Sequence, residues 1–273
     1  MSVLWAALIV VVVTVVAIGA MLLVRRGAPA GSYFEDGDRA AGVFGVLATG
    51  FAVLLGFVVF LAFESFDTSR SGAEREAEIV TQQLETAQLM PPAIRARMTG
   101  ELVCYARAVV DQEWPRMESG ARSDGLNPWT VAMFRTLQTS EPRSASEQAA
   151  YSKWLDQRSD RQDARTDRLH GAEGVIPTPL WIVLFLSALV IFGFMLLFAD
   201  SGERAFVQAT MMGGVAVVIT STLLLLWFLD NPFHEGIGGL RPTAMERTLA
   251  VVEGQLVDAE IPLPCDSVGT PHG

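Results

Sequence analysis

Four stretches of this chain, residues 2–24, 40–63, 175–199 and 205–229, contain no charged residue. Each is longer than the roughly 20 residues a helix needs to cross a ~30 Å hydrocarbon layer. The competing reading is four core helices of a water-soluble protein. Core helices carry a polar stripe where they meet solvent, and these show none. The chain therefore reads as an all-α integral membrane protein with four spans. Only 18% of its residues are charged, against roughly 25% in soluble domains. The first run could be a cleaved leader, since Ala28-Pro29-Ala30 mimics a small-x-small site. However, MSVLW lacks a basic residue and the apolar run is too long for a leader. Arg25-Arg26 ends it as an anchor.

The spans divide the chain into a first membrane hairpin (1–63), a polar block (64–174), a second hairpin (175–229) and a polar tail (230–273). Four spans put both termini and the polar block on one side. Seven arginines lie near span ends on that side (Arg70, Arg75, Arg161, Arg165, Arg168, Arg241, Arg247), against Arg25, Arg26, Arg39 and Arg204 on the other. Arginine and lysine mark the cytoplasmic side, so the polar block and termini are expected in the cytoplasm, below a bacterial plasma membrane. The net charge of −10 argues against nucleic acid, which is held by Lys and Arg.

The polar block reads as helical throughout. Ser71-x-x-Glu74 has the capping-box pattern ahead of AEREAEIVTQQLETAQLM, and Pro91-Pro92 breaks that helix. Ile94, Met98, Leu102, Ala106, Val109, Val110, Trp114 and Met117 then recur at helical spacing, with Pro115 weakening the last turn. After the loop SGARSDGLN, Asn127-Pro128 opens a helix that stops before Glu141-Pro142. Ser144-x-x-Glu147 caps a final helix to about His170, laced with Asp and Arg. Such lacing marks a solvated face or one that packs on a neighbouring subunit.

No catalytic constellation emerges. His170, His234 and His272 share no ligand spacing, and phosphate loops, GxSxG and HExxH are missing from the sequence. Glu101, Glu113 and Trp114 are expected at surface or rim positions. Cys104 and Cys265 are far apart without paired spacing and read as buried or idle thiols. No enzyme, cofactor or metal is implied. The spans hold small residues at a spacing of four: Ala48, Ala52 and Gly56, then Ala209 and Gly213, a pattern that lets helices approach closely. Phe51, Leu55, Val59 and Phe63 form a bulky i, i+4 ridge, which could pack ordinarily or form a constriction that gates by dewetting.

Two junctions carry a resemblance. The second span ends in GFVVFLAFESFDTSRSGAEREA, which runs without a break into a charged helix, and the fourth ends in LDNPFHEG. This layout resembles the bestrophins, pentameric anion channels with four spans and a helical cytoplasmic region between the second and third. Asp230, Pro232 and Phe233, with Asn231 between, match their acid-x-Pro-Phe motif. YARAVVDQEWPRM (105–117) and DNPF-x-x-G (Asp230 to Gly236) are similar to a bacterial bestrophin-like family. The resemblance implies a homopentamer in a lipid bilayer, passing small inorganic anions through an apolar neck. The neck candidates are Leu55, Val59 and Phe63, with Phe57 as the rival. The resemblance does not extend to calcium control, because HEGIGGLRPTAMER holds only Glu235 close to the motif. A second expectation is a non-conducting scaffold or sensor that binds a partner through Arg158, Arg161, Arg165 and Arg168. Asp230, unfavourable at a helix C-terminus, is expected to meet an arginine of the helix leaving the second span.

Overall fold

The computed structural model describes residues 3–121, 125, 127–257 and 263–272. Among them the fold is all-α, and only an isolated bridge between Cys265 and Pro271 departs from helix and loop. The residues divide into two units.

Unit 1 joins residues up to Glu64 with Val175–Asp230 and Glu235–Ile237. It holds α1 (Val3–Gly27), the first half of α2 (Gly37–Ala87), α7 (Thr178–Leu197) and α8 (Ala205–Asp230). All four helices are long and apolar enough to cross a membrane. α1 packs on α8 through small residues: a Cβ on Gly213 would lie 3.0 Å from Ile18 and 3.6 Å from Thr14. Met21, Ala28, Ala199 and Met212 bury one end of the unit. Phe34 and Phe44 stack on Phe194 and meet Phe198 at steeper angles, with ring centroids 4.9–6.2 Å apart. At the short connectors Arg25 donates to the Ser201 carbonyl at 3.1 Å and also to that of Glu203. Gly31 and Gly202 donate to the Asp200 carboxylate at 2.9 and 2.7 Å. Outward positions stay apolar, with Leu4 and Phe206 about four-fifths exposed. Water tolerates no continuous apolar surface of this kind, whereas hydrocarbon does. The chain is a membrane protein.

Unit 2 joins Ser65–Gly174, Asn231–His234 and Gly238 onward. It holds the second half of α2, α3 (Pro92–Ala108), a π-helical turn (Val109–Glu113), α4 (Trp114–Glu118), α5 (Pro128–Gln138), α6 (Ala145–Leu169) and α9 (Thr243–Val257). α3 is the central helix, buried from Met98 through Ala106. Ala77, Val80, Leu84 and Ala87 of α2, Met133 and Leu137 of α5, Trp154 of α6 and Met245 and Val252 of α9 pack in the same core. The Ser144 capping box is present, and the Asn127 side chain caps α5 with Pro128 at its first position. The π turn ends at Glu113, two residues before Pro115. A proline has no N–H and its ring clashes with the preceding turn, and a wider turn just before it relieves both.

Four expectations are corrected. Ser71-x-x-Glu74 starts no helix, because α2 runs unbroken for 51 residues and Ser71 lies inside it. There Gly72 meets α6: a Cβ would lie 2.8 Å from the Ala164 carbonyl oxygen. The tail is more than a polar extension, since α9 buries Met245 and Val252 in the core. Cys104 and Cys265 are buried, but they are not thiols: they form a disulfide, with Cα atoms 5.9 Å apart. Glu101, Glu113 and Trp114 are buried, not rim residues. In the expected loop after α4, residues 122–124 and 126 lie outside the described residues.

Candidate functional site

The densest polar constellation lies inside unit 2, where α2, α3, the π turn and α6 meet. Arg168 is fully buried and reaches two carboxylates. Its Nε and Nη2 donate to Glu76 at 2.5 and 3.2 Å, and Nη2 also donates to Glu113 at 2.6 Å. Glu113 accepts further from Asn127 at 3.0 Å and from Arg165 at 3.3 Å. The Tyr105 hydroxyl donates to Glu76. Arg161, buried two turns before Arg168 on α6, lies 4.4 Å over the Tyr105 ring and donates to Gln83 at 2.9 Å. All four carboxylate oxygens of Glu76 and Glu113 therefore have donors, which is how buried charges survive at all.

Burial shapes the acidity of these groups. It pushes the Tyr105 hydroxyl well above its ordinary range, reinforced by the Glu76 charge. It also lowers Arg161, which the Tyr105 and Glu76 charges do not fully offset. Burial alone would raise Glu113, but Arg168, Arg165 and the bonds from Arg168 and Asn127 hold it below its ordinary value. Arg168 is raised despite burial, by Glu76 and Glu113. With every oxygen engaged, the cluster works as an ionic clamp joining four elements. Among the described residues, no three of His, Cys, Asp and Glu gather as metal ligands.

Sequence analysis put Arg165 and Arg168 on a partner-binding face and Glu113 at the rim, and it did not join them to Glu76 as one buried cluster. Its signal was available: Glu76 and Gln83, and Gln157, Arg161 and Arg168, repeat at helical spacing on faces otherwise filled by small or apolar residues. The expected partner-binding face of Arg158, Arg161, Arg165 and Arg168 is absent, because Arg161 and Arg168 lie in the interior.

The post-span motif splits between the units. In unit 1 Asp230 Oδ1 accepts from the backbone N–H groups of Val175 and Ile176 at 2.7 and 2.9 Å, and Oδ2 from Trp181 Nε1 at 3.4 Å. Its partner is thus not an arginine. The acid satisfies lone donors at the entry to α7, beside the positive end of that helix. In unit 2 Asn231, Pro232 and Phe233 form a turn closed by His234 N–H donating to the Asn231 carbonyl at 3.3 Å, and Leu240 N–H donates to the Pro232 carbonyl at 2.8 Å. Phe233 is buried with its ring 5.4 Å edge-on to Trp114. A Cβ on Gly171 would lie 2.8 Å from Pro232.

The neck candidates do not share a face. Phe51, Leu55, Val58 and Ala62 are buried within the protomer, whereas Phe57, Phe60 and Phe63 are 68%, 62% and 55% exposed. Val59 is half-buried. Ala48, Ala52 and Gly56 line a groove of about 580 Å³ facing Gly214, Val218 and Thr222 of α8. No atom lies within 4 Å of a Cβ placed on Gly56, in contrast to Gly213. Ala209, one turn before Gly213, is half-buried.

The sequence profile described as the Bestrophin-like domain matches residues 9–245. A crystal structure of a mutant bacterial bestrophin homologue from Klebsiella pneumoniae shares the fold with TM-score 0.65 and 16% identity. It covers 92% of this chain and 99% of its own. A second mutant of that homologue matches with TM-score 0.60 and 15% identity, over 92% and 99% of the two chains. A mutant of a protein described only as a membrane protein matches with TM-score 0.67 and 13% identity, over 97% and 99%. At such identities the likeness is one of fold alone. No curated protein matches the chain.

Proposed function

Because the chain belongs to the bestrophin-like family, we propose that it is an oligomeric channel of the bacterial plasma membrane for small inorganic anions, with an apolar neck built from α2. The observation that carries this reading is the uncharged aromatic surface of Phe57, Phe60 and Phe63, exposed on a helix whose opposite face is packed inside the protomer. Around a five-fold axis, the arrangement the family resemblance suggests, five copies of this surface would line a narrow dry passage. A hydrophobic constriction controls conduction by dewetting, and it needs bulk and apolarity rather than charge. Of the four neck candidates, Phe57 and Phe63 fit this role, with Phe60 added. Leu55 faces inward and does not.

Purified protein reconstituted in liposomes should pass chloride in a flux assay. Phe57→Ala and Phe63→Ala should each raise the flux several-fold by widening and wetting the neck. Liposomes that stay silent with a correctly assembled oligomer would overturn the reading. The scaffold alternative has lost the arginine face that motivated it.

A further inference from the structure

We infer that Cys104 and Cys265 are oxidised by a dithiol oxidase outside the cytoplasm, and hence that unit 2 faces the oxidising side of the membrane. The inference is independent of whether the protein conducts.

The pair is held by more than its own bond. Cys104 sits on the buried helix α3, and Cys265 lies in a segment whose neighbours are separately docked. Arg107 donates to the Asp266 carbonyl at 3.1 Å, Gln112 to that of Val268 at 2.8 Å, and Trp129 Nε1 to that of Gly269 at 2.7 Å. A Cβ on Gly269 would lie 2.8 Å from the Cys104 carbonyl oxygen, so this close approach of backbones requires a glycine. Both cysteines are buried. Protein disulfides form and persist in oxidising compartments and are rare where glutathione and thioredoxin keep thiols reduced. The step balances as an exchange. Two thiols lose two protons and two electrons to form the S–S bond, and the disulfide of the oxidase takes them up to become a dithiol.

Charge agrees with this side once it is weighed by loop length. Basic residues retain short loops in the cytoplasm, whereas segments longer than about 60 residues cross largely regardless of charge. Residues 65–174 exceed that length, so Arg70, Arg75, Arg161, Arg165 and Arg168 drop out of the count. The short connectors between α1 and α2 and between α7 and α8, with the helix ends they join, carry Arg25, Arg26, Arg39 and Arg204. Those four then outweigh Arg241 and Arg247 of the tail, and they place the short connectors in the cytoplasm. The likeness to solved structures concerns the fold and does not assign a side.

The full chain, fused after residue 273 either to alkaline phosphatase or to green fluorescent protein, tests this in a bacterial host. The phosphatase fusion should be active and the fluorescent one dark. Acid-quenched cells, denatured and treated with a maleimide-polyethylene glycol, should show no adduct before reduction and two after it. Wild-type chain in a host lacking the extracytoplasmic dithiol oxidase should show two adducts without reduction. A fluorescent fusion with a silent phosphatase, or two adducts without reduction in the normal host, would each overturn the inference.

Discussion

A single guanidinium decides much about unit 2. Arg168 holds two buried carboxylates, so removing it leaves both without their main counter-charge. Breaking a buried pair by deleting one partner costs about 3–5 kcal/mol. Arg168→Met should therefore lower the thermal unfolding midpoint of detergent-purified protein strongly, followed by circular dichroism. Arg70→Met, whose ion pair with Glu74 is exposed, should change it little, since such pairs contribute about 0–1 kcal/mol. The same cluster sets an acid limit. Glu113 is held below its ordinary 4.5 in the fold, so its charge stabilises at neutral pH. That contribution is lost as pH falls from about 4.5 through the depressed folded value. Glu101 is raised by burial and acts in the opposite sense, so its stability contribution grows on acidification. Glu113→Gln should lower stability at pH 7 and flatten the loss below pH 4.5. An unchanged acid slope in that variant would assign acid unfolding to other groups.

At the scale of elements, α2 carries the organisation of the protein, being both a membrane span and a face of unit 2. Its two functions impose different periodicities. In unit 2 its crossing with α6 depends on Gly72, where a side chain would run into the backbone of α6. Overpacking a well-filled contact costs about 1–3 kcal/mol, so Gly72→Ala should destabilise by at least that amount. Gly56→Ala, on the same helix, meets nothing within 4 Å. It should be neutral or stabilising by up to about 1 kcal/mol, the helix propensity difference. The ridge of Phe51, Leu55, Val59 and Phe63 shows why the neck was only partly legible. Each i, i+4 step overshoots a 3.6-residue turn by about 40°, so three steps wind the ridge from the packed face to the exposed one. Sequence spacing identified the helix and its bulky positions, but which end of the ridge is free depends on where α7 and α8 lie.

For the whole molecule, the decisive contrast is between residues that face inward and those left open on α2. Leu55→Ala should lower stability by about 2 kcal/mol, the low end for a buried leucine, read as a fall in the unfolding midpoint. In hydrocarbon the lost packing remains as a cost while the solvent term falls away. It should leave chloride flux unchanged, the reverse of Phe57→Ala, and a Leu55→Ala leak without loss of stability would put Leu55 at the neck. The disulfide acts at the same scale, closing a loop of 161 residues. Chain entropy values such a loop at about 5 kcal/mol. That is an upper limit, because the two spans inside it stay helical in the bilayer. What the sequence determined by itself was the class: four uncharged runs too long and too uniformly apolar for water, joined by capped amphipathic helices. It did so because hydrocarbon thickness and backbone hydrogen bonding act on contiguous residues. The clamp of Glu76, Glu113 and Arg168, the Cys104–Cys265 bond, the hold of Asp230 on the Val175 and Ile176 N–H groups ahead of α7 and the free face of α2 were decided only by the tertiary structure. Each depends on which distant segments meet, and the spacing within one segment carries no information about which segment will lie across from it.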